Sequence, residues 1–148
     1  MKVLAIDQAT KCGWCSPSAS GTWDLSPNRG ESIGMRNIRF RSKLKEVVEA
    51  EGIEMIVHER VAGRHQGALI VAGGLVGVIH LVCEDLGLEY ACYSAGEIKK
   101  FATGKGNAKK DAMIDSAKKA YEYRGLGDID DNEADALHLW HMVMEELG

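Results

Sequence analysis

Two compact apolar segments, residues 53–58 and 88–93, flank one long apolar segment, residues 64–86. Short apolar runs read as buried strands, and two strands joined through a long helix must lie parallel, with a right-handed crossover. That unit commits the chain to an α/β architecture, and the other segments must fit around it. Residues 2–7 carry Val3, Leu4 and Ile6 and read as a further buried strand ending at Asp7. After the turn at Gln8–Thr10 comes a second strand, then a third at Gly21-Thr22-Trp23, in a stretch that also holds Pro17 and Pro27. The short turns between these opening strands predict antiparallel pairing. Helices are expected from about 36 to 51, stopped by Gly52, and over 64–86, despite Gly67, Gly73, Gly74 and Gly77. Others follow from Ser94 as cap to about 101, from Asn107 as cap to about 123, and over 131–147. The last has an apolar stripe of Ala136, Leu137, Trp140, Val143, Met144 and Leu147. The order β-β-β-α-β-α-β-α-α-α predicts an α/β fold, a mixed sheet with helices on both faces.

With 148 residues, no repeat and no linker, one domain is expected. At 45% apolar and 27% charged residues the chain is neither disordered nor fibrous. No apolar run reaches the roughly 18 residues of a membrane span, so no membrane partner is expected. Asp7 stands where a signal peptide would be apolar, and four cysteines are too few for a disulfide scaffold, which points to a reduced, cytosolic setting. A net charge of −4 argues against a uniformly basic nucleic-acid coat, but the charges segregate. Arg36, Arg39, Arg41, Lys43 and Lys45 form one basic cluster, and Lys99, Lys100, Lys105, Lys109 and Lys110 another. Acids gather late, at Asp128, Asp130, Asp131, Glu133 and Asp135. The split fits a polyanion-binding face beside a carboxylate-rich metal site; the alternative is charge spread over solvated helix faces.

Three acids stand where chemistry would place them. Asp7 ends the first strand, Glu59 ends the fourth, and Asp135 borders the apolar stripe of the last helix. Sites in α/β sheets gather at the C-terminal ends of strands. A carboxylate there is costly without compensation, and a hard, all-oxygen donor set suits Mg²⁺ or Mn²⁺. Asp131 and Asn132 precede Asp135 by four and three residues, so all three share a helix face. Asp128, Asp130 and Glu133 are better read as an acidic first turn that complements the helix dipole.

Weaker signals have bland readings. Cys12 and Cys15 have CxxC spacing, but residues three apart on a strand face opposite ways, against a shared metal or redox role. His58 should face away from Glu59 and be structural; His138 is either a ligand-orienting group or a satisfied edge histidine. Trp14 and Trp23 read as core. Gly104-Lys105-Gly106 lacks the spacing of a nucleotide P-loop.

Four segments in order, Leu4-Ala5-Ile6-Asp7-Gln8-Ala9-Thr10 with Gly13-Trp14, Val57-His58-Glu59, Gly104 to Lys110, and Asn132-Glu133-Ala134-Asp135-Ala136-Leu137, resemble the RuvC family of Holliday junction resolvases, in the ribonuclease H-like superfamily. The short chain is more similar to its bacteriophage branch, acting in a bacterial host's cytoplasm, than to the longer bacterial enzymes. The resemblance implies a five-stranded sheet of order 3-2-1-4-5. It implies a homodimer that nicks two opposed strands of a four-way DNA junction using two Mg²⁺ ions, with Mn²⁺ able to substitute, leaving 5′-phosphate and 3′-hydroxyl ends. Asp7, Glu59 and Asp135 match three of the family's four metal-binding acids. The fourth falls at Asn132, so either the Asn132 carbonyl or Asp131 next to it supplies that ligand. Lys110 matches a catalytic lysine and Lys99 another functional one. Lys100, Lys105, Asn107 and Lys109 would hold flanking phosphates, and Arg60, Arg64 and His65, which follow Glu59 in the chain, are candidates for further DNA contacts by position. The family's aromatic wedge would fall at Ala62, so junction opening must differ. Two other functions stay open: a YqgF-type pre-rRNA nuclease, and a junction-binding module whose metal site has decayed, as Asn132 permits.

Overall fold

Val3, Leu4, Ala5 and Ile6 are all fully buried, and a strand with every side chain out of water needs partners on both edges and a layer on both faces. The computed structural model, which describes residues 1–148, supplies them. Strand β1 (Val3–Asp7) pairs antiparallel with β2 (Lys11–Cys15) and parallel with β4 (Met55–Glu59). β3 (Ser20–Asp24) extends one edge antiparallel and β5 (Glu89–Tyr93) the other parallel. The order β3-β2-β1-β4-β5 is the one the resemblance implied.

Strand alternation sorts the apolar residues into two cores. Leu4, Ile6, Cys12 and Ile56 point to the layer of α1 (Gly34–Glu51) and α2 (Gln66–Leu86). Val3, Ala5, Cys15 and Val57 point to the layer of α3 (Ala95–Thr103), α4 (Lys110–Ala120) and α5 (Asp131–Leu147). Cys12 and Cys15 thus lie on opposite faces, as their spacing predicted, and burial pushes both thiols up, Cys15 to about 12. Gly52 and Gly87 end α1 and α2 in the left-handed region, at φ 65° and 68°. Ser94 caps α3 in a reciprocal capping box with Glu97.

Several expectations need correction. Asn107 does not cap α4: Lys109 holds the N-cap position without a side-chain hydrogen bond, and the helix stops at Ala120 before a 3₁₀ turn, Glu122–Arg124. Leu147 leaves the α5 stripe and is half exposed. Arg36 is no solvated member of the first basic cluster but is buried against α2, and Arg39 pairs with Glu31. The absence of any span-length apolar segment also fails. With 21 residues α2 is long and apolar enough to cross a membrane, because its glycines interrupt the large side chains without adding polarity. One stripe of it, Leu75, Val78, Ile79, Val82 and Cys83, is buried against the sheet layer. Trp14 and Trp23 pack at the edge of that core but are only part-buried, stacked with ring centres 5.2 Å apart.

Candidate active site

β1 and β4 run side by side with Ile6 opposite His58, so Asp7 and Glu59 follow as neighbours at the two strand ends. Alternation puts both on the face that Ala5 and Val57 share, under α5. His58 points the other way and is buried, its Nδ1 2.8 Å from the Glu59 carbonyl oxygen. The structural reading of His58 is therefore the observed one.

α5 brings the remaining acid across. Its first turn lies directly on β2 at Gly13, where an added Cβ would stand 1.9 Å from the Asn132 carbonyl oxygen. Three polar contacts fix this end. Asp130 is the N-cap and accepts from the Glu133 N–H at 2.8 Å; Thr22 donates to Asp130 at 2.8 Å and Ser20 to Glu133 at 2.8 Å. Asp130 and Glu133 thus do structural work, as the sequence suggested. Asp128 is fully exposed, 4.0 Å from Lys118. Further along α5, Trp140 donates to the Val3 carbonyl at 2.9 Å and carries the Arg124 guanidinium over its ring at 4.6 Å.

The result is a crowd of carboxylates. Desolvation, then Asp135 and Glu59, raise the pKa of Asp7 well above the ordinary range, and its carboxyl shares a hydrogen bond with Glu59. Desolvation also raises Glu59, opposed by that bond and by Lys99. Asp135 is pushed up to about 7 by desolvation and by the charges of Glu59 and Asp131. No three acid, histidine or cysteine side chains close on one point as a finished coordination cage. All-oxygen donors crowded with like charge fit a hard divalent cation. Asp7, Glu59 and Asp135 are the residues that could hold it, with Asp131 and Asn132 beside the cleft.

A cleft of about 670 Å³ opens on Asp7 and Glu59, lined also by Gln8, Arg60, Lys110, Asp131 and Asn132 and walled by small residues of α2, among them Gly67, Ala68 and Ala72; Asp135 lies outside it, lining a smaller hollow with Glu59 and Lys99. Ala62 lies on its rim, with no aromatic side chain in the wedge position. Both candidates for the fourth ligand face this cleft. Lys110 reaches Asp131 at 3.5 Å and is otherwise exposed. Lys99, Asn107, Lys109 and Lys110 border a second hollow with Asp131 and Asp135. Lys100, Lys105, Arg60, Arg64 and His65 are exposed nearby in sequence. His138 does not orient Asp135. It is buried among Ser116 (3.0 Å), Tyr121 (2.6 Å) and the Met113 carbonyl (3.0 Å), the satisfied histidine of the bland reading.

Sequence reasoning missed two residues at this site. Gly13 was readable, since a glycine inside a strand marks close backbone approach. Gln8, whose amide engages the Glu59 backbone, carried no such signal.

No family model matches the chain. It is 30% identical over 149 residues to the crossover junction endodeoxyribonuclease RuvC of Anaeromyxobacter sp. (strain Fw109-5), covering 94% of this chain and 70% of that protein. Among solved structures it resembles Thermus thermophilus RuvC in complex with a Holliday junction substrate, with TM-score 0.73, 19% identity, and 93% and 89% of the two chains covered. It also resembles the T. thermophilus RuvC structure (TM-score 0.72, 20% identity, 100% and 97% covered). A third likeness is to the yeast mitochondrial Holliday junction resolvase Ydc2 (TM-score 0.64, 11% identity, 97% and 80% covered).

Proposed function

Since the chain belongs to the RuvC family of crossover junction endodeoxyribonucleases, we propose that it resolves four-way DNA junctions by paired, Mg²⁺-dependent nicks that leave 5′-phosphate and 3′-hydroxyl ends. The observation that supports this reading is the placement of Asp7 and Glu59 at adjacent strand ends, with Asp135 and Lys99 lining a hollow beside Glu59 and Lys110 paired with Asp131 at the cleft. Two divalent cations, when bound, supply an activated water and stabilise the leaving oxygen. The chain's own groups do the rest. Asp7, Glu59 and Asp135 give up their protons to become ligands, with Asp131 or Asn132 completing the set. The small-residue wall of α2 lets a DNA backbone approach the acids. Lys99, Lys100, Lys105, Asn107, Lys109, Arg60 and Arg64 hold flanking phosphates, which position the substrate without reading its sequence.

The direct test is incubation of end-labelled four-way, three-way and linear DNA with Mg²⁺, mapping both cuts. Symmetric nicks in the four-way substrate alone are expected. Equal cutting of linear DNA, or none of any DNA, would overturn the reading. A pre-rRNA nuclease would cut structured RNA instead, and a decayed module would bind junctions in EDTA and cut nothing in Mg²⁺; no contact in the site favours either.

Lys110 sits at the first turn of α4 with its ammonium beside Asp131. There it can neutralise charge developing on the phosphoryl oxygens. Lys110→Ala should slow single-turnover cleavage by on the order of 10²-fold and weaken junction binding only a few-fold. An unchanged single-turnover rate counts against this role.

A two-fold substrate calls for a two-fold enzyme. The outward face of α2 supports it: Ile70 and Leu81 are 64% and 51% exposed, and Gly73 and Gly77 leave open space for a second helix. Sedimentation velocity at micromolar concentration should give a dimer, and Ile70→Glu a monomer that binds junctions but no longer pairs its two nicks. A wild-type protein that sediments only as monomer defeats the assignment.

A further inference from the structure

Gln8 follows Asp7 directly, is 7% exposed, and spends its whole side-chain amide on one residue of the neighbouring strand. Its Oε1 accepts from the Glu59 N–H at 3.2 Å, and its Nε2 donates to the Glu59 carbonyl oxygen. Only this orientation of the amide satisfies both partners. The contact stands where the β1–β4 ladder runs out, just beyond the Ile6–His58 pair. A side-chain amide there does what a further peptide group would do and keeps the strand ends from splaying. On the other side of Glu59, the Arg60 N–H donates to the Tyr93 carbonyl at 2.7 Å. The Glu59 main chain is thus held from both neighbouring strands, and on the β1 side the holder is the residue next to Asp7.

We infer that Gln8 is a positioning residue for the cation site: its amide locks the Glu59 backbone in register with Asp7, so that the two carboxylates meet. The inference rests on the reading of Asp7 and Glu59 as metal ligands, but not on the identity of the nucleic acid. Groups that orient ligands in this way typically cost about 10- to 100-fold in metal affinity when lost. A slack Glu59 raises the cation concentration needed without touching the contacts that hold DNA.

The test measures Mn²⁺ binding to the free full-length chain by electron paramagnetic resonance, the Mg²⁺ midpoint of single-turnover cleavage, junction affinity in EDTA, and thermal stability. Gln8→Met fills the same volume with no hydrogen bond. Gln8→Glu keeps the acceptor for the Glu59 N–H but sets an oxygen against the Glu59 carbonyl. Both variants should bind Mn²⁺ at least about 10-fold more weakly and need correspondingly more Mg²⁺, with the rate recovering at saturation and junction affinity within two-fold of wild type. A folded Gln8→Met with unchanged Mn²⁺ affinity overturns the inference. So does a loss of junction affinity with Mn²⁺ binding intact, which would make Gln8 a DNA contact. Should Gln8→Met not fold, Gln8→Glu is read against the same two criteria; if neither folds, Gln8 is a stability residue and the inference fails. A wild-type chain that binds Mn²⁺ yet cuts no junction would sink the proposed substrate and leave the role of Gln8 standing. One that binds no Mn²⁺ sinks both.

Discussion

Asp7→Asn is expected to abolish cleavage while making the metal-free protein more stable than wild type. Asp7 lies among Glu59, Asp135 and Asp131, and desolvation and their charges raise its pKa well above the ordinary range. A raised carboxylate pKa means that the folded state binds a proton the unfolded state has released. In the window between the unfolded value of about 3.9 and the higher folded value, stability therefore falls as pH rises. Asp135 adds to this slope up to about pH 7. Wild-type protein in EDTA should lose melting temperature steadily from pH 5 to pH 8. Asparagine at position 7 has no charge to desolvate, so the variant should show a flatter profile and melt several degrees higher at pH 8. Added Mg²⁺ should raise the melting temperature of wild type at pH 8 and leave the variant nearly unmoved, since binding to the folded state alone is what stabilises it. Single-turnover cleavage should drop at least about 10³-fold, the upper end of what one electrostatic group costs, with junction binding in EDTA retained. Normal turnover by Asp7→Asn removes Asp7 from the mechanism.

The same charges explain the activity profile expected across pH. Ligands must be deprotonated to hold a cation. With Asp135 at about 7 in the metal-free state, the Mg²⁺ midpoint of cleavage should fall as pH rises from 6 to 8, a shift that titration of cleavage at several Mg²⁺ concentrations would reveal. A midpoint independent of pH would mean that Asp135 gives up no proton on loading.

What could be read from the chain is what local periodicity controls. Val3 to Ile6 fix a buried strand, period two then sends Asp7 and Glu59 to one face and His58 to the other, and the spacing of Asp131, Asn132 and Asp135 fixes a helix face. The sheet order came from the resemblance, since no propensity states which strands pair. What was not readable depends on contacts between segments far apart in sequence. The hold of Gln8 on Glu59 spans 51 residues, and the seat of α5 on Gly13 spans about as much of the chain as separates 13 from 132. α2 was legible as a helix but not in its burial: its composition is that of a fully buried helix, yet Ile70 and Leu81 stay exposed, because only the stripe from Leu75 to Cys83 meets the sheet layer. The missed cap of α4 is a local matter. Asn107 is a better capping residue than Lys109, but the turn at Gly104–Ala108, tied by the Ala108 N–H to the Lys105 carbonyl at 3.2 Å, delays the helix by two residues.

Gly13→Ala should damage the site from a position that touches no substrate. Gly13 pairs with Asp7 across the β1–β2 ladder, and its missing side chain is the space into which the first turn of α5 descends. A Cβ there would lie 1.9 Å from the Asn132 carbonyl oxygen and 2.3 Å from its carbon, and both are backbone atoms that cannot rotate away. Either β2 or α5 must retreat. β2 is held by strands on both sides, whereas the helix end is held by Thr22, Ser20 and its own cap, so the helix should yield. Overpacking of this kind costs about 3 kcal/mol, which for a chain of this length lowers the melting temperature by roughly 6–12 °C. The chemical cost is larger. Asp131, Asn132 and Asp135 ride on that turn, and a displacement near 1 Å in a catalytic constellation costs about 10²-fold in rate. Gly13→Ala should therefore remain folded below its lowered transition, bind junctions through lysines and arginines outside α5, and cleave them about 10²-fold more slowly. Asp7→Asn gains stability as it loses activity, while Gly13→Ala loses both, so the pair separates the chemistry of the acids from the geometry that gathers them. A Gly13→Ala protein with wild-type cleavage would show that α5 need not rest on β2 for Asp135 to do its work.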